Sequence, residues 1–295
     1  MPTTNASLLD RLKSWPLLIL PHQLLSRLVR HATRWQSAWW KDTLIKLFIR
    51  HFNVDMSEAE FPGADGYPDF NRFFTRALTA GARPLDSNPQ AILSPVDGRV
   101  SEAGDITNGR LIQAKGRDYS LSVLLGGDEK RASLFQGGKF ATLYLSPRDY
   151  HRIHMPCSGQ LLETTYVPGR LFSVAPHTVR VIPNLFSRNE RLVTLFDTDD
   201  GPFAMILVGA IFVSCMETVW GGTVNPHMGM DLQTAGFETG KSVALQAGDE
   251  MGRFNMGSTV ILLYGPDRIK WADTLRHDQP VRMGQAIGQR LPTNR

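Results

Sequence analysis

The spacing of apolar positions divides the chain into three textures. Between residues 8 and 52, Leu24, Leu25, Leu28 and Val29 recur at helical spacing, as do Leu44, Ile45, Leu47, Phe48 and Ile49. Asp42, Thr43, Lys46 and Arg50 share the opposite face of the second set, so amphipathic helices are predicted here. Residues 53–90 are punctuated by Pro62, Gly63, Gly66, Pro68, Gly81, Pro84 and Pro89, with one short helix predicted over 70–76. From residue 91, short β-like runs are parted by Gly, Pro and Asp, at 98–102, 140–145, 160–167, 191–196, 203–212 and 259–264. The expected fold class is α+β: N-terminal amphipathic helices, then a mainly antiparallel sandwich or barrel-like core. Residues 265–295 read as polar and loop-like towards the end, with 290–295 disordered.

A chain of 295 residues can bury a sizeable core, and its 42% apolar content is ordinary for a globular protein. The net charge of +4 is unevenly spread. Residues 8–52 carry eight Lys/Arg against Asp10 and Asp42, a local +6 that leaves −2 for the rest. Four of the six tryptophans, Trp15, Trp35, Trp39 and Trp40, lie in the same segment. Basic helices rich in Trp and Leu suit a membrane interface. The alternative is a helix pair packed on the protein's own core with a solvated basic face. No cleavable signal peptide is read at the start. The charge-free run 14–26 is interrupted by Pro16 and Pro21 and is too short to span a bilayer, which takes about 20 apolar residues. Cys157 and Cys215 sit in apolar surroundings and are expected to be reduced, packed thiols.

Three segments carry candidate chemistry. In Gly257-Ser258-Thr259, a flexible glycine precedes a serine that opens the apolar run 260–264. A serine hydroxyl there has the Gly257 carbonyl within reach, given a base to take its proton; alone, the tripeptide reads equally as a turn before a strand. The segment 146–156 holds His151 and His154 three apart, beside Tyr150 and two arginines. In a strand such positions face opposite sides. Structural histidines, general acid–base groups and a zinc pair completed by His177 or His227 all remain open. In Ser94-Pro95-Val96-Asp97-Gly98 the aspartate is either a turn former or the carboxylate that orients a histidine.

Taken together and in this order, Ser-Pro-Val-Asp-Gly at 94–98, Tyr-His-Arg-Ile-His-Met-Pro at 150–156 and Gly-Ser-Thr at 257–259 resemble the phosphatidylserine decarboxylase family. Residues 70–76 and 248–254 extend the likeness, which covers about residues 40 to 265. Met256 stands where many members have leucine and Ile153 where many have valine, both apolar exchanges. The resemblance implies cleavage between Gly257 and Ser258, with Asp97, His154 and Ser258 acting as a triad, and His151 serving the later decarboxylation. It implies a pyruvoyl cofactor derived from Ser258, with neither metal nor pyridoxal phosphate. The substrate amine would form a Schiff base with it, lose CO2 and leave phosphatidylethanolamine. The implied partners are phosphatidylserine, an anionic membrane surface and the second cleavage chain, in a heterodimer whose further dimerisation stays open; nucleic acid is not among them. The expected location is peripheral, on the cytoplasmic face of the inner membrane. Residues 1–60 are then a membrane-association region and 61–295 the catalytic domain. Two other readings compete. One is a membrane-associated serine hydrolase using Asp97, His154 and Ser258, although no Gly-x-Ser-x-Gly elbow is present. The other is a non-enzymatic membrane-surface module.

Overall fold

The computed structural model describes residues 6–114, 116–211, 215–224, 232–236, 243–255 and 258–292, with the backbone alone at Ile19, Gln23 and Ser258. The expected N-terminal helicity resolves into α1 (Leu8–Ser14), α2 (Pro16–Ile19), α3 (His22–Thr33) and α4 (Ala38–Phe52). Ser7 and Asp10 form a reciprocal capping box that satisfies donors at the start of α1. Pro16 opens α2, where its missing N–H costs no helical bond. At the end of α4, Asn53 takes the left-handed conformation at φ 52° and stops the helix. The short helix expected at 70–76 is α5 (Phe70–Phe74), capped by the Asp69 side chain. Ile45 of α4 is fully buried, and Phe48 packs its ring edge-on against Phe70, Phe73 and Phe74 at 5.1 to 5.9 Å.

The N-terminal segment packs in part on the protein's own body and in part turns apolar side chains outward. α1 packs on α8 (Pro176–Val181), where Asp10 accepts two bonds from Arg180, and His22 meets Phe172 edge-on at 5.3 Å. Leu8, Leu9, Leu12, Trp15, Leu24, Leu28, Trp35, Trp39 and Leu47 nevertheless face outward, each more than half exposed. Among the described residues no helix is long and apolar enough to cross a membrane.

The body is built on one large antiparallel sheet. In spatial order it runs β12 (Gln233–Gly236), β7 (Gly159–Val167), β8 (Arg191–Thr198), β9 (Gly201–Val208), β15 (Ser258–Tyr264), β5 (Lys139–Leu145), β2 (Gly98–Asp105) and β17 (Pro280–Val281), with β13 (Ala244–Leu245) also on β7. β9 and β15 are central and buried on both faces, which is why they read as unbroken apolar runs. Val260, Leu262, Phe203, Met205 and Leu207 point into one core, and Ile261, Leu263, Ala204, Ile206 and Val208 into the other. Each of these side chains apart from the small Ala204 contributes roughly 1.5–3 kcal/mol by leaving water. This sheet is the mainly antiparallel core expected from the sequence, and among the described residues it does not close into a barrel, because β12 and β17 end the sheet on opposite sides without pairing. Around it lie a sheet of β11 (Gly222–Val224), β10 (Met216–Thr218), β14 (Glu250–Phe254) and β6 (Arg152–His154), a hairpin of β3 (Arg110–Ala114) and β4 (Arg117–Ser120), and a third sheet.

That third sheet corrects the reading of the chain's end. β1 (Ala91–Leu93) pairs with β18 (Ala286–Arg290), which pairs in turn with β16 (Ile269–Trp271). Arg290 therefore belongs to a strand, pairs with Ile269 and reaches Asp200 at 3.0 Å. The stretch is polar because half of it faces water, yet its backbone bonds come from a segment some 200 residues earlier in the chain. Residues 293–295 lie outside the described residues.

Candidate active site

Ser258 is the first residue of β15, and its backbone pairs with Leu145, the last residue of β5. The chain leaves Leu145 directly into the histidine segment. Asp149 closes the turn by accepting from the Ser146 backbone N–H and hydroxyl, both at 2.7 Å. Tyr150, His151 and β6 follow. β6 runs antiparallel to β14, with a bulge between Glu250 and Gly252, and Phe254 N–H donates to the His151 carbonyl at 3.1 Å. Asn255 is then fixed on three sides. Its N–H donates to the Cys215 carbonyl (3.0 Å), its side-chain amide to Glu217 (2.9 Å), and its side-chain oxygen accepts from Asn71 of α5 (2.9 Å). Met256 and Gly257, the latter half of the expected cleavage site, lie outside the described residues. Three residue steps reach at most about 11 Å, so the anchor at Asn255 holds Ser258 close to the β6–β14 pair.

The two histidines enter different environments. His151 is fully buried, donates from Nδ1 to the Asp149 carbonyl at 2.8 Å and lies 4.1 Å from the Phe74 ring. Its Nε2 is buried without a hydrogen-bond partner among the described residues. Burial lowers its pKa to about 3, so the ring is neutral, with its proton on Nδ1 and a free lone pair on Nε2. His154 has both nitrogens engaged: Nδ1 donates to the Gly248 carbonyl (2.9 Å) and Nε2 accepts from the Tyr150 hydroxyl (3.0 Å). Burial lowers its pKa as well; Gly248, Glu250 and Asp97 oppose that effect, and Arg152 adds to it.

Asp97 stands next to this pair but is held by other groups. The His154 N–H donates to the Pro95 carbonyl at 2.9 Å, which ties the Asp97 turn to β6. The Asp97 carboxylate takes Arg83 bidentately, at 2.9 Å from Nε and 2.5 Å from a terminal nitrogen, and accepts from the Met283 N–H at 2.8 Å. The His154 ring is thus oriented by Gly248 and Tyr150, and Asp97 acts on it through its charge. Gly98 is required where it stands, since a Cβ there would lie 2.4 Å from the Tyr144 carbonyl oxygen.

Several neighbours had no signal in the sequence. Arg83, which also pairs with Glu58 at 2.8 Å, sits in a stretch legible only as turns. Tyr150 was visible within the motif, but without a role. Arg34 is one of the eight cations of residues 8–52, yet it caps α3 and lies 3.8 Å from Glu217, the residue that holds Asn255. Glu190 precedes β8, and its carbonyl accepts from the Gly209 N–H at 2.8 Å. Val208 pairs with Arg191 on one side and Thr259 on the other, so Glu190, Gly209 and Ser258 stand at the same end of three neighbouring strands. The buried Glu190 carboxyl meets Tyr166, and desolvation lifts its pKa to about 7. Of the histidines named in the zinc alternative, His177 lies on α8 and His227 falls outside the described residues; among those described, no group of three His, Cys, Asp or Glu could hold a metal. Cys157 and Cys215 are free and buried.

Residues 70–289 match the family described as phosphatidylserine decarboxylase, and residues 12–53 match a second described as PSD. The chain belongs to the phosphatidylserine decarboxylase family. Similar relatives include the phosphatidylserine decarboxylase proenzyme of Nitrosococcus oceani, 53% identical over 283 residues, covering 95% of this chain and 92% of the relative. That of Stutzerimonas stutzeri is 54% identical over 282 residues, 95% of both chains. The proenzyme of Azotobacter vinelandii is 54% identical over 272 residues, 92% of this chain and 95% of the relative. The chain is accordingly a decarboxylase of phospholipid biosynthesis, and its relatives are made as proenzymes. This membership displaces the hydrolase and the non-enzymatic module.

Proposed function

We propose that the chain cleaves itself between Gly257 and Ser258, converts Ser258 into a pyruvoyl group, and uses it to decarboxylate phosphatidylserine to phosphatidylethanolamine. The observation that carries this reading is the continuous frame around Ser258. The partner of Ser258 in the sheet, Leu145, runs straight into both histidines, and the strand leading to Ser258 is bonded to the His151 backbone.

In the first stage His154 takes the Ser258 hydroxyl proton, and the oxygen attacks the Gly257 carbonyl, so that the peptide becomes an ester. For this, Tyr150 must yield its place on His154 Nε2. Glu250 and Asp97 stabilise the imidazolium that forms. Loss of the α-proton of residue 258 expels the Gly257 carboxylate, and hydrolysis frees ammonia to leave a ketone.

The residues present suit that ketone. Asn255 is anchored on one side and β15 on the other, so the cut falls in a short span whose two ends stay in place. The buried His151 Nε2 is an unpaired acceptor suited to a substrate proton. The pyruvoyl ketone supplies an electrophile for the substrate amine and a sink for the electrons that CO2 leaves behind. His151 is neutral with its proton on Nδ1, so it must first accept a proton at Nε2 before it can return one to the substrate carbon.

Residues 1–60 form the membrane-association region in this reading and residues 61–295 the catalytic domain. The outward leucines and tryptophans support peripheral docking on an anionic surface; the cytoplasmic face is the proposed side. The intact mass of the purified protein tests the proposal. Wild type should give fragments 1–257 and 258–295, the second with a ketone in place of its amine, and Ser258→Ala should remain one chain. Clean two-chain processing of Ser258→Ala would sink it.

A further inference from the structure

On the face of the sheet away from the histidines lies a cavity of about 800 Å³. Tyr144 lines it, whereas the next residue, Leu145, points into the core that holds Val96, Ile153 and Met155. The cavity and the candidate active site are therefore separated by the sheet, and none of Asp97, His151 or His154 lines the cavity.

Among the described residues, four arginines from four elements line it: Arg11 of α1, Arg99 of β2, Arg117 of β4 and Arg180 of α8. Asp10 takes Arg180 bidentately, and Asp278 takes Arg99 at 3.3 Å. Arg11 and Arg117 have no hydrogen-bond or ion-pair partner among the described residues. Of the two carboxylates on the wall, Glu102 faces His277 at 3.6 Å and Asp278 is the one on Arg99, so the cavity carries a positive surplus. The rest of the wall is mixed, apolar from Ala114, Val174 and Val179 and polar from Ser101, Gln113 and His277. The volume far exceeds a bare anion and suits a headgroup with some hydrocarbon attached. Its position adds a direction of approach. Arg11 stands beside Leu8 and Leu12 of α1 and Trp15 at its end, all outward, so the cavity wall continues into the apolar surface proposed to dock on lipid.

We propose that this cavity is a second anion site, which binds the phosphate of an amphiphilic phosphate ester presented at the membrane surface, separately from the substrate that reacts at Ser258. Planar guanidinium groups match phosphate oxygens in pairs, and two of the four are already free to do so. The phosphate belongs either to a lipid headgroup or to a soluble phosphate ester. The proposal does not depend on the chemistry at Ser258.

Calorimetric titration of the full chain with dihexanoyl phosphatidylglycerol, which has no amine to react, and with glycerol 3-phosphate tests it. The variant Arg11→Glu/Arg117→Glu is compared with Lys130→Glu/Lys270→Glu, an equal change of charge at exposed positions outside the cavity and outside the N-terminal helices. Wild type and this control variant should bind alike, and the cavity variant should bind on the order of tenfold weaker or more for each arginine lost. Binding of the short-chain lipid alone assigns the site to a lipid headgroup; displacement of that lipid by glycerol 3-phosphate assigns it to phosphate esters in general. Should charge reversal unfold the chain, Arg11→Gln/Arg117→Gln repeats the comparison. Equal losses in the cavity and control variants, or no saturable binding of either probe to wild type, would overturn the proposal.

Discussion

Replacing Glu190 with glutamine should stabilise the protein at alkaline pH and leave it unchanged in acid. Glu190 is 5% exposed, and burial raises its pKa from 4.5 to about 7, with the Tyr166 hydrogen bond only partly opposing. The nearby Arg191 cannot neutralise it, because its guanidinium donates to the carbonyls of Val123, Leu124, Ser187 and Asn189. A raised carboxyl pKa means that the folded state binds the proton more tightly than the unfolded state. The contribution is intact below pH 4.5, falls as pH rises from 4.5 to about 7, and is fully lost above that. Over that interval, at 1.36 kcal/mol per pH unit, the loss is on the order of 3 kcal/mol. Glutamine keeps a neutral group of the same shape and never titrates. His151 contributes the opposite slope, because the unfolded chain takes up its proton between pH 6.5 and about 3; it is common to both proteins and cancels in the difference. The assay is urea unfolding of Glu190→Gln against its parent, both carrying Ser258→Ala to keep one chain. With a urea slope of roughly 3 kcal/mol per molar, the midpoints should coincide near pH 4.5 and separate by about 1 M at pH 8.5. A gap of the same size at both pH values would show that Glu190 titrates normally and that the desolvation argument is wrong.

Other outcomes follow from the site and the N-terminal surface. His154→Ala and Asp97→Ala should stay uncleaved, while His151→Ala cleaves but releases little CO2; gels read beside CO2 release check this, and the reverse pattern would mean the roles are exchanged. Arg83→Ala leaves the buried Asp97 carboxylate with only the Met283 N–H and should destabilise the fold by about 3 kcal/mol. A loss in urea unfolding within about 0.5 kcal/mol of zero, the usual range for surface sites, would rule out that clamp. Arg27→Glu/Arg30→Glu should weaken co-sedimentation with anionic vesicles at low salt, each arginine being worth about 1 kcal/mol at best, whereas Trp15→Ser/Trp39→Ser should remove the binding that survives high salt. Arg34 is left intact because it serves Glu217. Unchanged binding in both variants would leave these helices as a solvated face only.

What the sequence determined by itself was local. Helical spacing marked α3 and α4, and apolar runs flanked by turn formers marked β5, β7, β8, β9 and β15 to within a few residues. The three short motifs pointed to Asp97, His151, His154 and Ser258 because reacting groups are written in residue identity. Tertiary structure decided who meets whom. Asn71 and Asn255 are 184 positions apart in the chain, and Arg83 and Asp97 are joined across a turn, so no periodicity links them. The orienting partner of His154 proved to be a backbone carbonyl and a tyrosine, and a carbonyl has no letter in a sequence. The acidity of Glu190 and the neutrality of His151 come from burial, which exists only after the sheet and the helices have closed over them. The unclosed sheet and the paired C-terminal strands have the same origin. Strand partners are set by long-range backbone hydrogen bonds, and every residue carries the same backbone donor and acceptor whatever its side chain, proline's missing N–H apart.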